Sequence, residues 1–90
     1  MTRVKHLYWH LGSCAGGARF EVRLRGSTAR VCLMDVDDYQ AYLDGDEYEY
    51  HGDFYDVSPV VLEVPYDDDW YLVVDSNDRR IRVDVTQIFG

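Results

Sequence analysis

The chain is short of positive charge. Nine Lys and Arg stand against seventeen Asp and Glu in 90 residues, a formal net charge of −8. Nucleic-acid backbones and anionic membranes are bound through Lys and Arg that neutralise phosphates, so neither is an expected partner. Long apolar runs are missing too: no stretch approaches the roughly 18–20 residues that span a bilayer as a helix. The opening MTRVKHLYWHLGS has its apolar residues broken by histidine and no clear cleavage site. It does not read as a signal peptide, and the expected location is the cytoplasm. Cysteine is scarce, with only Cys14 and Cys32. In a reducing compartment these are expected as free thiols, Cys32 in an apolar strand and Cys14 in an exposed glycine-rich turn.

Patterns that announce catalysis are also lacking. GSCAGG, Gly12 to Gly17, is not G-x-S-x-G, and it matches neither the P-loop nor the dinucleotide fingerprint. A calcium loop needs oxygen ligands at positions 1, 3 and 5 and glycine at 6. Counting from Asp35 puts Tyr39 and Gln40 at positions 5 and 6, and counting from Asp44 puts Tyr48 at position 5, so both fail. His6 and His10 on one extended strand lie about 13 Å apart at the backbone, too far for one zinc ion. The acids are numerous, but nothing fixes a distance between two of them. No catalytic residue, metal site or cofactor is assigned, and the expectation is a protein that is not an enzyme.

What the sequence does have is alternation. With 47% hydrophobic residues, disorder is not expected. ARFEVRLR, Ala18 to Arg25, places Ala18, Phe20, Val22 and Leu24 on one side and charges on the other, the mark of a half-buried antiparallel strand. ARVCLM, Ala29 to Met34, has little polar face and reads as a central strand; Gly26–Ser27 between the two predicts a hairpin. A first strand is expected over Arg3–Leu11, ended by the glycine-rich turn. Further strands are expected over Glu47–Gly52, Val60–Pro65, Trp70–Asp75 and Arg80–Ile88, with DFYDVSP an irregular link and the last two strands a hairpin. DVDDYQAYLDG is the one helical stretch. Asp35 suits its N-cap, Gly45 its C-terminal stop, and Val36, Tyr39 and Leu43 share a face. The expected fold is all-β (mainly β): one domain over 1–90, a small antiparallel β-sandwich or partly open barrel of about seven strands with one short helix near residues 36–43.

Five of the eight tyrosines lie between Asp37 and Asp56, interleaved with acids. Tyr39 and Tyr42 are neighbours on a helical turn, and Tyr48 and Tyr50 share a strand face. Such rings can form a wall for a planar ligand or a peptide, although packing into a small core is the commoner use. Tyr48, Trp70 and Val74 suit inward positions; Tyr42, Tyr55 and Tyr66 are left as rings at the edge. His51 lies beside the run. Arg79, Arg80 and Arg82 could hold a carboxylate or phosphate through paired hydrogen bonds. If the early and late strands are neighbours, Arg19, Arg23, Arg25, Arg30 and these three form a basic edge on an acidic body.

From Val31 to Asp75 the order of features resembles the bacterial family catalogued as domain of unknown function 1883. The resemblance is carried by Leu33-Met34-Asp35, Tyr39, Tyr42, Gly45, Tyr48, Tyr50, Gly52, Ser58-Pro59, Pro65, Trp70 and Val74-Asp75. It extends more weakly to both ends. Asp38 stands where the family has Asn, Asp53 where it has a second glycine, and Asp69 where glycine is common before the Trp. These departures add acid and argue against anion binding by those loops. The resemblance implies a small mainly-β domain without established catalytic residues. Related domains are sometimes joined to Toll/interleukin-1 receptor-like domains, which implies sensing or interaction in bacterial or phage conflict.

The leading expectation is therefore a binding module that recognises a protein partner or small molecule through the face around Tyr39, Tyr42, Tyr48, Tyr50, His51 and Tyr55, with homo-oligomer formation through exposed rings and strand edges. The alternative is sensing or sequestering of a nucleotide-derived small molecule, with Arg79, Arg80 and Arg82 on phosphate and a tyrosine on the base. A metal-dependent hydrolase is the weakest of the three.

Overall fold

The computed structural model describes residues 6–26, 28–75 and 81–88. Seven strands and one helix follow in the order β1 (Leu7–Cys14), β2 (Arg19–Arg25), β3 (Ala29–Asp35), α1 (Val36–Asp44), β4 (His51–Tyr55), β5 (Val60–Glu63), β6 (Asp68–Asp75) and β7 (Arg82–Ile88). They form two antiparallel sheets, ordered β1-β6-β3-β4 and β5-β2-β7, packed as a sandwich rather than a closed barrel. None of the described helices is long and apolar enough to cross a membrane.

In the first sheet the central strands, β3 and β6, are buried on both sides. Its inner face sends Ala29, Val31, Leu33, Trp70, Leu72 and Val74 against Phe20, Val22 and Leu24 of the second sheet. Its outer face sends Cys32, Met34 and Val73 under α1. This explains the missing polar side of ARVCLM: β3 is covered twice. Trp70 is fully buried and satisfies its indole by donating Nε1–H to the Tyr66 carbonyl at 3.0 Å.

The same patterns correct both expected hairpins. β2 does not pair with β3 but with β5 and β7, and β6 pairs with β1 and β3 rather than with β7. A strand with one charged face, such as β2, belongs where water meets the sheet. A strand apolar on both faces belongs where a helix lies on top. Chain neighbours of different pattern thus go to different sheets. The turn expected at residues 76–80 and the start of the expected first strand lie outside the described residues.

Three boundaries also differ. β1 runs through the glycine-rich segment to Cys14, because Gly12, at φ 79°, forms a bulge that shifts the register between His10 and Gly12. Cys14 beyond it is buried, not exposed. Pairing after the helix begins at His51, opposite Leu33, so Glu47–Tyr50 is irregular and much of the expected link is strand. Gly52 allows this approach: a Cβ there would overlap the Val31 carbonyl and sit 2.7 Å from the Cys32 Cα.

The helix follows its caps. Asp35 Oδ1 accepts the Asp38 N–H at 2.9 Å. At the other end Gly45, left-handed at φ 79°, donates to the Tyr42 carbonyl, and Asp46 donates to that of Ala41 at 2.9 Å. Its buried residues are Tyr39 and Tyr42, whereas Val36 and Leu43 are 39% and 44% exposed. The expected face is rotated because the two long rings, three residues apart, reach the sheet where the shorter side chains do not.

Candidate functional site: an aromatic and acidic sheet face

The outer face of the first sheet gathers rings from four separate parts of the chain. β1 contributes Tyr8 and His10, β6 Tyr71, α1 Tyr39 and Tyr42, and the irregular segment Tyr48 and Tyr50. His10 stacks on Tyr71 with centroids 4.6 Å apart, and Tyr71 stacks on Tyr39 at 4.1 Å. Tyr39 adjoins Tyr42 at 6.3 Å, Tyr42 meets Tyr48 edge-on at 5.1 Å, and Tyr50 follows at 5.9 Å. Tyr8 lies 5.7 Å from Tyr39. The row is buried at its middle, in Tyr39 and Tyr42, and open at Tyr50 and at the flanking Tyr8, 43% and 57% exposed.

Arg30 anchors one end. Its guanidinium carbon lies 5.0 Å from the Tyr50 centroid and 5.8 and 5.9 Å from those of Tyr48 and Tyr42. Nη1 donates to Tyr48 Oη at 2.9 Å and Nη2 approaches Asp75 at 3.4 Å. Burial opposes its charge, but the Tyr48 oxygen and the Asp75 carboxylate outweigh this and raise its pKa. At the other end His10 Nε2 donates to both Asp69 oxygens, at 3.0 and 3.1 Å.

Titration in this region favours inert groups. Burial, with Asp75 adding to it, pushes Tyr42 up to about 12. Burial likewise lifts the Cys32 thiol to about 11 despite the nearby Arg30, so it is protonated at neutral pH. Tyr42 Oη has no hydrogen-bond partner among the described residues. No group of three or more His, Cys, Asp or Glu among them is arranged to hold a metal ion.

The segment that supplies most of the rings is acidic. Between Arg30 and Arg79 the sequence holds fifteen of the seventeen acids and no Lys or Arg. This stretch supplies most of β3 and all of α1, β4, β5 and β6.

The structure brings together four of the sequence-derived candidates, Tyr39, Tyr42, Tyr48 and Tyr50. Tyr42, expected as an edge ring, is buried, and Tyr48 is half-buried on the outer face rather than turned into the sandwich. His51 lies elsewhere, edge-on to Trp70 and Tyr66 at 5.8 and 6.4 Å. Tyr66 donates its hydroxyl to Asp35. Tyr55 packs against the main core. Arg82 sits on β7 opposite Arg25, so early and late arginines do adjoin, but on the second sheet and with Asp84 and a Glu21–Arg23 pair among them. Arg79 and Arg80 lie outside the described residues. Tyr8, His10 and Tyr71 are absent from the sequence-derived set, and Arg30, expected in the basic edge, lies instead on β3 of the first sheet. Arg30 leaves one trace in the sequence, as the one charge within the apolar run Ala29–Met34.

The chain belongs to the family described as a domain of unknown function (DUF1883), whose profile matches residues 4–88. No curated protein and no solved structure matches it.

Proposed function

We propose that this domain is a non-enzymatic binding module that recognises a basic protein segment through the tyrosine- and acid-rich outer face of its first sheet. The observation that carries this reading is the continuous row of rings, open at Tyr8 and Tyr50, most of them supplied by the acidic stretch between Arg30 and Arg79. Arg30 displays the chemistry in miniature, with a guanidinium over tyrosine rings beside a carboxylate. An incoming Arg or Lys at an exposed ring gains about 0.5–1 kcal/mol per contact, and the surrounding charge speeds encounter.

The test is an NMR titration with an arginine-rich peptide. Amides around Tyr8, Tyr71 and Tyr50 should shift, and Tyr8→Ala with Tyr50→Ala should weaken binding about tenfold, the loss of roughly 1.4 kcal/mol. Shifts confined to the second sheet, or none, would sink the proposal.

A second reading, sensing or sequestering of a nucleotide-derived small molecule, draws on the meeting of an arginine with tyrosines. Arg30 takes that part in place of Arg82. Its rings already enclose its own guanidinium, so a ligand there would have to displace Tyr48 or Asp75. This favours the protein partner.

A further inference from the structure

Four arginines are gathered on the side of the sandwich away from the tyrosine row. β2 alternates, with Phe20, Val22 and Leu24 buried and Arg19, Arg23 and Arg25 exposed. β7 adds Arg82, exposed and directly across from Arg25. Three acids share this outer face: Glu63 opposite Arg19, Asp84 opposite Arg23, and Glu21, whose carboxylate accepts the Arg23 Nε–H at 2.8 Å. Four arginines against three acids leave the face at a net of +1, on a chain whose total is −8.

The surplus is local. Arg19 and Arg23 each have an acid across the strand, whereas Arg25 and Arg82 have each other. Side chains directly opposite in an antiparallel pair lie about 5 Å apart, and like charges there are destabilising. Neither arginine has an ion-pair partner among the described residues. Two arginines held at this spacing on an open sheet face are satisfied by an anionic surface laid over both.

The same chain carries such a surface. On the opposite side of the molecule, α1 and the segment after it expose Asp37, Asp44, Asp46, Glu47 and Glu49 beside the exposed Tyr50. The Glu49 N–H donates to Asp38 Oδ1 at 3.1 Å, which ties that segment to the helix. The two faces are separated by two layer spacings of about 10 Å each, against a Debye length of about 8 Å at physiological salt. Opposite charges in contact are therefore felt, while the net repulsion between two acidic chains is largely screened.

We infer that the basic partner of the aromatic and acidic face is another copy of this chain, presenting the outer face of its second sheet around Arg25 and Arg82. The inference rests on the binding function proposed above and names its partner. The two surfaces differ, so the contact is head-to-tail: each copy offers one of each, and association continues beyond a dimer. Contacts between exposed charges are individually weak, so the assembly is reversible and sensitive to salt.

The experiment is sedimentation velocity of the full chain at concentrations up to about 1 mM, in about 0.05 M and about 0.5 M salt. The expected result is a weight-average sedimentation coefficient that rises with concentration past the dimer value at low salt and returns to the monomer value at high salt. Arg25→Glu should weaken association at least about tenfold. Its Tm should be unchanged or higher, because the new carboxylate faces Arg82 across the strands. Glu47→Lys with Glu49→Lys should weaken association to the same degree. Mixed in equal amounts, the two variants should associate again, since the reversed charges meet each other and the intact faces meet each other. The inference is overturned if the wild type stays a monomer at about 1 mM in low salt, if it stops at a dimer, if Arg25→Glu associates as the wild type does, or if mixing restores nothing. NMR titration of Arg25→Glu with the arginine-rich peptide separates the two readings. Peptide shifts around Tyr8 and Tyr50 beside a monomeric wild type remove the self-partner and leave the binding function; absence of both removes both.

Discussion

Replacing Arg30 by alanine tests whether the tyrosine row is held together by its own cation. The side chain is 14% exposed. Its hydrogen bond to Tyr48 is charge-assisted and worth about 1.5 kcal/mol. The nearest ring, Tyr50 at 5.0 Å, adds about 1 kcal/mol as a cation–π contact. The rings near 6 Å add a few tenths. The Asp75 contact is long and Asp75 is 38% exposed, so it adds little. The expected loss is about 3 kcal/mol, which in a domain of this size lowers Tm by roughly 12–24 °C. Urea unfolding measures the free energy, and hydrogen exchange should show faster opening of residues 46–50. Arg30→Lys keeps the charge without the planar fork and should lose about half as much. A double-mutant cycle with Tyr50→Leu should show a coupling near 1 kcal/mol. A loss below about 1 kcal/mol, or strict additivity with Tyr50→Leu, would refute the reasoning by placing Arg30 among ordinary surface charges.

Other substitutions test the remaining contacts. Gly52→Ala should cost about 2–4 kcal/mol and release β4, because the new Cβ collides with the β3 backbone; chemical denaturation beside loss of exchange protection at residues 51–55 checks it. Burial opposes the charge of Asp35, but the Tyr66 hydroxyl and the Asp38 and Asp37 N–H groups hold its pKa below the usual value. A depressed carboxyl pKa contributes stability that is present above the unfolded value and lost as pH falls through the folded one, so stability should decline below about pH 4. Asp35→Asn keeps a competent N-cap and should flatten that decline; an unchanged acid profile would remove Asp35 as its source. The hydrogen bond to Asp35 pushes Tyr66 up to about 12. Spectrophotometric titration of the wild type against Asp35→Asn should show one tyrosine returning toward its ordinary value. Cys32, fully buried and lifted to about 11, should resist iodoacetamide in the native protein and react promptly once unfolded.

Much of the local structure is legible before any coordinates. Asp35 and Gly45 mark the helix ends because a short acceptor and a residue free to adopt positive φ satisfy groups within a few positions of themselves. The Phe20-Val22-Leu24 alternation marks β2 for the same reason, since its period is local. The boundaries that moved are those set by distant partners. Gly12 looks like a terminator and acts as a bulge because β6 continues beside it. Tyr48 and Tyr50 alternate like a strand, yet the pairing edge opposite them is unavailable until His51 meets Leu33.

The candidate site divides in the same way. Tyr39 with Tyr42, and Tyr48 with Tyr50, can be grouped from spacing alone. Tyr8, His10, Tyr71 and Arg30 join them through sheet order, which spacing does not encode. Sequence by itself determined that this chain folds as a small acidic mainly-β domain with one capped helix, and that its acids are segregated from its arginines, because those are properties of short windows and of composition. Tertiary structure alone decided which strands are neighbours, that β3 and β6 lie between a helix and a second sheet, and which rings form one surface. Those outcomes depend on contacts between residues far apart in the chain, where the stability of each pairing rests on what every other strand has left to bury.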